Sequence, residues 1–157
     1  MGTQSPVIMG ILNLTPDSFS DGGQFDSVQS AVQAATAMVA HGAQIIDVGG
    51  ESTRPGAERI SLEVELERVI PVIERLSSKG IYVSIDTMRA EVAKAAVDAG
   101  AQMVNDVSGG LSDPHMLATV ARLGVPIVLM HWRGPSKTMQ ENIHYVNALT
   151  EVCTELH

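Results

Sequence analysis

The sequence predicts an α/β fold, a (β/α)8 TIM barrel of which the chain covers about the first five βα units, and three observations carry that expectation. Runs of β-favouring apolar residues alternate with helical patterns, and four of those patterns stop at a glycine just ahead of a strand. HGAQIIDVGG at 41–50 and AGAQMVNDVSGG at 99–110 are nearly one phrase written twice, as a βα repeat requires. Every strand also ends near a polar residue: Asn13, Asp47, Asp86, Asn105 with Asp106, and His131. In α/β folds the C-terminal ends of the strands form the mouth of the active site. A doubly wound sheet would gather such residues at one crevice, whereas all five strands carry them here; no GxGxxG follows the first strand, which weakens a dinucleotide-binding reading.

The elements follow in order. VIMGILNL at 7–14 is an apolar strand with Asn13 near its end, and TPDSFSDGG at 15–23 is a long loop of turn residues. Asp26 or Ser27 caps a helix with Val28, Val32, Ala35 and Val39 on one face, and Gly42 stops it. Residues 44–49 form a buried parallel strand, after which Gly49 and Gly50 let the backbone turn. Ser61 starts a second helix that buries Leu62, Leu66, Val69, Ile73 and Leu76, ends at Gly80 and is kinked by Pro71. YVSID at 82–86 is the third strand, 87–99 an alanine-rich helix, and MVNDV at 103–107 the fourth strand. Asp113-Pro114 starts a helix that Gly124 stops, VPIVLMH at 125–131 is the fifth strand, and Val146, Leu149, Val152 and Leu156 mark a last amphipathic helix.

Composition narrows the function. At 157 residues and 45% apolar, with no run long enough to span a bilayer, the chain reads as one globular unit, residues 1–157, with no membrane partner. No secretory or transit segment is evident at 1–6. One cysteine, Cys153, excludes an internal disulfide and a cysteine-based metal cluster and suits a reducing cytoplasm. A net charge of -8 with two Phe, two Tyr and one Trp argues against nucleic acid, which needs a basic face. Any anionic ligand must therefore be held by a local cluster.

DVGGESTRPG at 47–56 offers such a cluster: Ser52, Thr53 and the planar fork of Arg54 on a loop stiffened by Pro55 suit an oxyanion, while a surface turn with a Glu51–Arg54 pair fits as well. Asp47 and His131 fit a bracing role or a ligand role; Asp106 and Glu51 fit capping of backbone N–H groups. His41, His115 and His144 lack ligand spacing, so zinc is not expected, and Arg133 and Lys137 fit a solvated loop. Asn13, Asp86 and Asn105 stand apart, because a polar side chain on an apolar strand is costly unless it has a partner.

Taken together, ILNLTPDSFSDGG at 11–23, DVGGESTRPGA at 47–57, SIDT at 84–87, NDVSGG at 105–110 and LMH at 129–131 resemble dihydropteroate synthase. The resemblance implies a barrel that condenses 6-hydroxymethyl-7,8-dihydropterin diphosphate with 4-aminobenzoate, giving dihydropteroate and pyrophosphate for folate synthesis, and that sulfonamides inhibit by mimicking the aminobenzoate. It implies that Asp86 and Asn105 bind the pterin, that Met130 lines its face, and that Asn13 helps hold Mg²⁺ with the diphosphate. Thr53 would touch the diphosphate, Arg54 would come from the same loop, Phe19 and Pro55 would flank the aminobenzoate ring, and Asp21 would support a pterin cation and Mg²⁺. Methyltetrahydrofolate-binding methyltransferases also grip a pterin from barrel strand ends but lack the TPDSFSDGG and STRPG loops; a non-catalytic homologue acting as a binding module is a third reading.

Five βα units cannot close an eight-stranded barrel of about 250 residues. The family's later pterin-binding carboxylate, strand-end lysine, Arg-x-His segment and dimer-forming helices have no match up to His157. The expectation is a first part of a barrel, prone to self-association through open sheet edges, in a family that is otherwise homodimeric. Residues 1–157 by themselves are therefore expected to show little or no synthase turnover; a rate with both substrates and Mg²⁺ matching that of a complete enzyme would contradict this.

Overall fold

Five parallel strands pair in the order in which the chain makes them. The computed structural model describes residues 6–15, 24–141 and 143–156, with the side chains of 24–26 outside the description. The strands are β1 (Met9–Asn13), β2 (Ile45–Gly49), β3 (Val83–Asp86), β4 (Met103–Asp106) and β5 (Ile127–Leu129). Between and after them come α1 (Gln24–Ala40), α2 (Leu62–Ser77), α3 (Ala90–Asp98), α4 (Met116–Leu123) and α5 (Ala148–Glu155). The sheet order is β1-β2-β3-β4-β5 with every pair parallel. A doubly wound sheet reverses its order at a switch point; this one has none, so it is wound like a barrel wall.

Alternation along the strands sorts the two faces. Leu12, Val48, Ile85, Val104 and Ile127 share one register row and face the helices, and the first four are buried. Val69, Val72, Ile73 and Leu76 of α2, Ala31 and Ala35 of α1, Val92, Ala93 and Ala96 of α3, and Met116 and Val120 of α4 complete that core. The other face carries Ile11, Asn13, Asp47, Gly49, Ser84, Asp86, Met103 and Asn105, and Ile11 on it is 64% exposed.

The repeated phrase has a structural cause. Gln44 Oε1 accepts from the Ile8 N–H at 2.8 Å, and Gln102 Oε1 accepts from the Val83 N–H at 2.9 Å, so each glutamine satisfies the first donor of the neighbouring strand. Their own N–H groups donate to Ile8 and Val83 carbonyls, and the buried Ala43 and Ala101 close the preceding helices with matching backbone bonds. Gly42, Gly80, Gly100 and Gly124, the expected terminators, all have positive φ.

Several expectations change. Asp26 and Ser27 lie inside α1, which already runs from Gln24, so neither is its cap. Val39 is 37% exposed. Ser61 does cap α2, accepting from the Val64 N–H, but the most buried polar group of that helix is Glu65, with Leu62 and Leu66 only partly covered; the helix continues through Pro71. Asp113 does not cap α4: Oδ2 accepts from the Ala90 N–H at the start of α3, and Oδ1 takes the His115 N–H. With the Thr87 hydroxyl accepting from the Arg89 N–H, α3 begins at Ala90 and not at Thr87. The fifth strand shrinks to three residues, and α5 buries none of its side chains, leaving Leu149 and Leu156 exposed.

Glu65 is tolerable in the core because it is fully partnered. It accepts from the Thr87 hydroxyl at 2.6 Å and from the Arg89 guanidinium, which also reaches Glu51 at 2.9 Å and the Ile60 carbonyl at 2.5 Å. Arg89 thus ties both ends of the loop between β2 and α2 to the start of α3. Removing it strands Glu65, 1% exposed, without its cation. Arg89→Met is expected to cost about 3–5 kcal/mol in urea denaturation, and Glu65→Gln in the same background to recover part of it; a loss below about 1 kcal/mol would count against the clamp.

Candidate functional site

One register row defines the site. Asn13 pairs with Gly49, Gly49 with Asp86, Asp86 with Asn105, and Asn105 with Val128, so the three polar side chains stand on the inner face at the C-terminal ends of their strands. Neighbouring parallel strands lie about 4.8 Å apart, which sets the lateral spacing of the row. A Cβ added at Gly49 would lie 3.3 Å from Asp86 Oδ2 and 3.6 Å from Asn13 Oδ1. Gly49 has no positive φ; the glycine leaves room between the Asp86 and Asn13 side-chain oxygens and does not make a left-handed turn, as the sequence had suggested.

One layer deeper on the same face lie Asp47 and Ser84, themselves register partners. Asn105 Nδ2 donates to Asp47 Oδ2 at 2.9 Å. Asp47 Oδ1 and Ser84 Oγ are buried without a hydrogen-bond partner among the described residues. Buried polar atoms rarely remain without a partner, and these two lie on the inner face of the sheet. Burial pushes the Asp86 carboxyl up to about 7, and the carboxylates of Asp47, Glu65, Asp106 and Glu51 push it the same way.

The other candidates divide. Glu51 pairs with Arg59 at 3.2 Å and Arg89 at 2.9 Å and accepts from the Ile60 N–H, so the Glu51–Arg54 pair does not form. Asp106 points away from Asn105 and accepts from the Ser108 N–H and hydroxyl and the Gly110 N–H, a loop brace. Thr53 is half-buried and Arg54 and Pro55 are exposed; no hydrogen bond among the described residues ties Thr53 or Arg54 to the row. Their loop is held elsewhere, by the Gly56 N–H donating to the Ser136 carbonyl at 2.8 Å. A cavity of about 330 Å³ lies between that loop and those after β3, β4 and β5, lined by Glu51, Arg59, Met88, Ser112 and Ser136, and it excludes the row. Met130 follows β5 directly and is 44% exposed, its N–H donating to the Asp106 carbonyl. Phe19 and Asp21 lie outside the described residues.

His131 is engaged at 2.6 Å with Glu155, and Arg133 is gripped by Glu151 and Glu155 over the Tyr145 ring, so these two side chains anchor α5. Hydrogen bonds to Glu155 and Glu151 hold the Arg133 guanidinium charged well beyond its ordinary range. Glu65, Arg89 and Ser84 were not singled out from the sequence. Glu65 had a signal, a carboxylate on the apolar stripe of α2, and Ser84 shares the alternation of Asp86 in SID.

No group of three or more His, Cys, Asp or Glu side chains is placed to hold a metal among the described residues. Asn13 Oδ1 is a single hard oxygen donor. Such a donor fits Mg²⁺, which keeps waters and takes further oxygens from a phosphate.

Residues 9–157 match the family model described as pterin binding enzyme, and the chain belongs to that family. It is 55% identical over 146 residues to the dihydropteroate synthase of Synechocystis sp., covering 92% of this chain and 50% of that protein. Among solved structures, Xanthomonas albilineans dihydropteroate synthase with 4-aminobenzoic acid superposes with a TM-score of 0.83 at 48% identity, over 93% of this chain and 51% of that one. The Yersinia pestis dihydropteroate synthase in a sulfonamide drug complex gives 0.85 at 43%, over 95% and 54%. The chain spans about half the length of the relatives it matches, and its fold is the corresponding part of a (β/α)8 barrel.

Folded Asp86 keeps a proton that the unfolded chain releases, so its contribution to stability is complete at low pH and is lost as pH rises from about 4 to about 7. Asp86→Asn should flatten the fall in Tm across that window; a wild-type Tm that stays level there would contradict the assignment.

Proposed function

We propose that the protein works as a dihydropteroate synthase, condensing 6-hydroxymethyl-7,8-dihydropterin diphosphate with 4-aminobenzoate to give 7,8-dihydropteroate and pyrophosphate. The observation that carries this reading is the unbroken register row of Asn13, Gly49, Asp86 and Asn105. An amino-pyrimidine edge presents N–H donors, and Asp86, ionised above a pH of about 7, and the Asn105 amide oxygen supply acceptors side by side for them. Relatives of that name at about half the chain's residues identical support the assignment, as does the aminobenzoate named with the Xanthomonas structure. The sulfonamide named with the Yersinia structure supports competition by such drugs for the aromatic amine's place.

In the reaction a C–N bond forms between the amine and the pterin's exocyclic carbon, the C–O bond to the diphosphate breaks, and the amine gives up one proton. A neutral aromatic amine is already nucleophilic, so the demand is charge stabilisation at the carbon and at the departing oxygens. Asp86 and Asn105 orient the pterin, and Met130 covers a face of it. Asn13 would help hold Mg²⁺ with the diphosphate, Asp21 would support the pterin cation and Mg²⁺, the Thr53 hydroxyl would donate to the diphosphate, and Arg54 would add positive charge. Phe19 and Pro55 flank the aminobenzoate ring. Mg²⁺, when bound with the diphosphate, neutralises charge on the leaving group. A reducing cytoplasm suits a chain with the single cysteine Cys153.

Pyrophosphate release by the full-length protein is expected to require both substrates, and Asp86→Ala and Asn105→Ala each to lower kcat/KM by about 10- to 100-fold, the scale of a lost charged or buried hydrogen bond. Release that does not depend on aminobenzoate, or that both variants leave unchanged, would overturn the reading.

A further inference from the structure

We infer that Asp47 is a specificity-determining residue: by accepting a hydrogen bond from Asn105 it fixes which end of the Asn105 amide faces the ligand, and so selects rings whose bound edge is made of donors. The inference rests on the pterin reading above and deepens it.

The geometry begins with the repeat. Asp47 in HGAQIIDVGG and Asn105 in AGAQMVNDVSGG occupy equivalent positions, two strands apart. Their side chains meet across the inner face of β3, between the levels of Ser84, which pairs with Asp47, and Asp86, which pairs with Asn105. Asn105 Nδ2 donates to Asp47 Oδ2 at 2.9 Å, and Asp47 is 4% exposed.

An amide can be turned end for end with almost no change in shape, so only its partners decide which end points where. A carboxylate accepts and cannot donate. Turning Asn105 would set its oxygen against the Asp47 carboxylate, in a place with little water to screen the two. The amide is therefore held with Nδ2 inward, and Oδ1, which has no protein donor among the described residues, is left for the ligand. Beside it Asp86, ionised above a pH of about 7, offers its carboxylate. The floor then reads acceptor next to acceptor, the complement of a ring edge with an amino group beside a ring N–H. An analogue with a carbonyl in place of that amino group would bring oxygen to oxygen.

Asp47 touches no ligand in this scheme and is a positioning residue. Asp47→Asn keeps its size while allowing the side chain to donate as well as accept, so Asn105 becomes free to turn. The experiment measures Kd by fluorescence titration for 6-hydroxymethylpterin and for 6-hydroxymethyllumazine, in which the 2-amino group is a carbonyl, using full-length protein with and without Asp47→Asn. Wild type should prefer the pterin, and the variant should lose at least about tenfold of that preference, the scale on which a site built around a hydrogen bond rejects a mismatched group. Equal weakening of both ligands, with the ratio intact, would overturn the inference and leave the pterin reading standing. Failure of the wild type to bind either ring would overturn both. Should the variant not fold, the wild type still decides: a carboxylate-bonded Asn105 side-chain amide must show slowed proton exchange by NMR, and exchange as fast as that of an exposed amide would refute it.

Discussion

Parallel pairing without a slip across the first four strands is the constraint on which the site depends. Side chains alternate at every residue, so a shift of one position in any strand would send its polar residue to the helix face and its core residue to the inner face. Leu12, Val48, Ile85 and Val104 prevent that shift: each is buried against the helices, and a slip of its strand would take it out of that core. Hydrophobic burial on one face thereby sets the positions of Asn13, Asp86 and Asn105 on the other. Gln44 and Gln102, each satisfying the leading N–H of an adjacent strand, help hold the register from the opposite end.

Stability and function divide between the faces but are not independent. Asp86 sits near four other carboxylates, an arrangement that disfavours charge and that only a compensating network makes tolerable. Arg89 supplies part of that compensation by engaging Glu51 and Glu65, and the same side chain pins the loop bearing Thr53 and Arg54 at both its ends. The loop's tip is fastened separately, through Gly56 to Ser136 beyond β5, so its residues are delivered over the rim without touching the floor.

The strand order, the helix stops and the polar strand ends were legible in the sequence because each arises from local pattern: alternation, a glycine at a helix end, an apolar run that closes on Asn or Asp. Asn13, Asp86 and Asn105 could be picked out for the same reason. What was hidden was pairing at a distance. Nothing near Asp113 announces that it caps the helix before its own, Glu51 has Arg54 close in sequence yet takes Arg59 and Arg89, and of the stripe Val146, Leu149, Val152 and Leu156 only Leu149 and Val152 fall within α5, a helix held through charged contacts to Arg133, while Val146, Leu149 and Leu156 stay exposed. Gly49 looked like a hinge and serves as clearance, a distinction that only the position of the Asp86 carboxylate reveals.

The account stands on the inner-face row being the place where a pterin lies. The most direct measurement is an NMR titration of the full-length protein with 6-hydroxymethylpterin, following the side-chain amide signals of Asn13 and Asn105 beside those of residues lining the outer cavity. The account predicts the largest shift at Asn105, a smaller one at Asn13, and little change at Arg59 or Ser112; shifts confined to the outer cavity, with Asn105 unmoved, would contradict it.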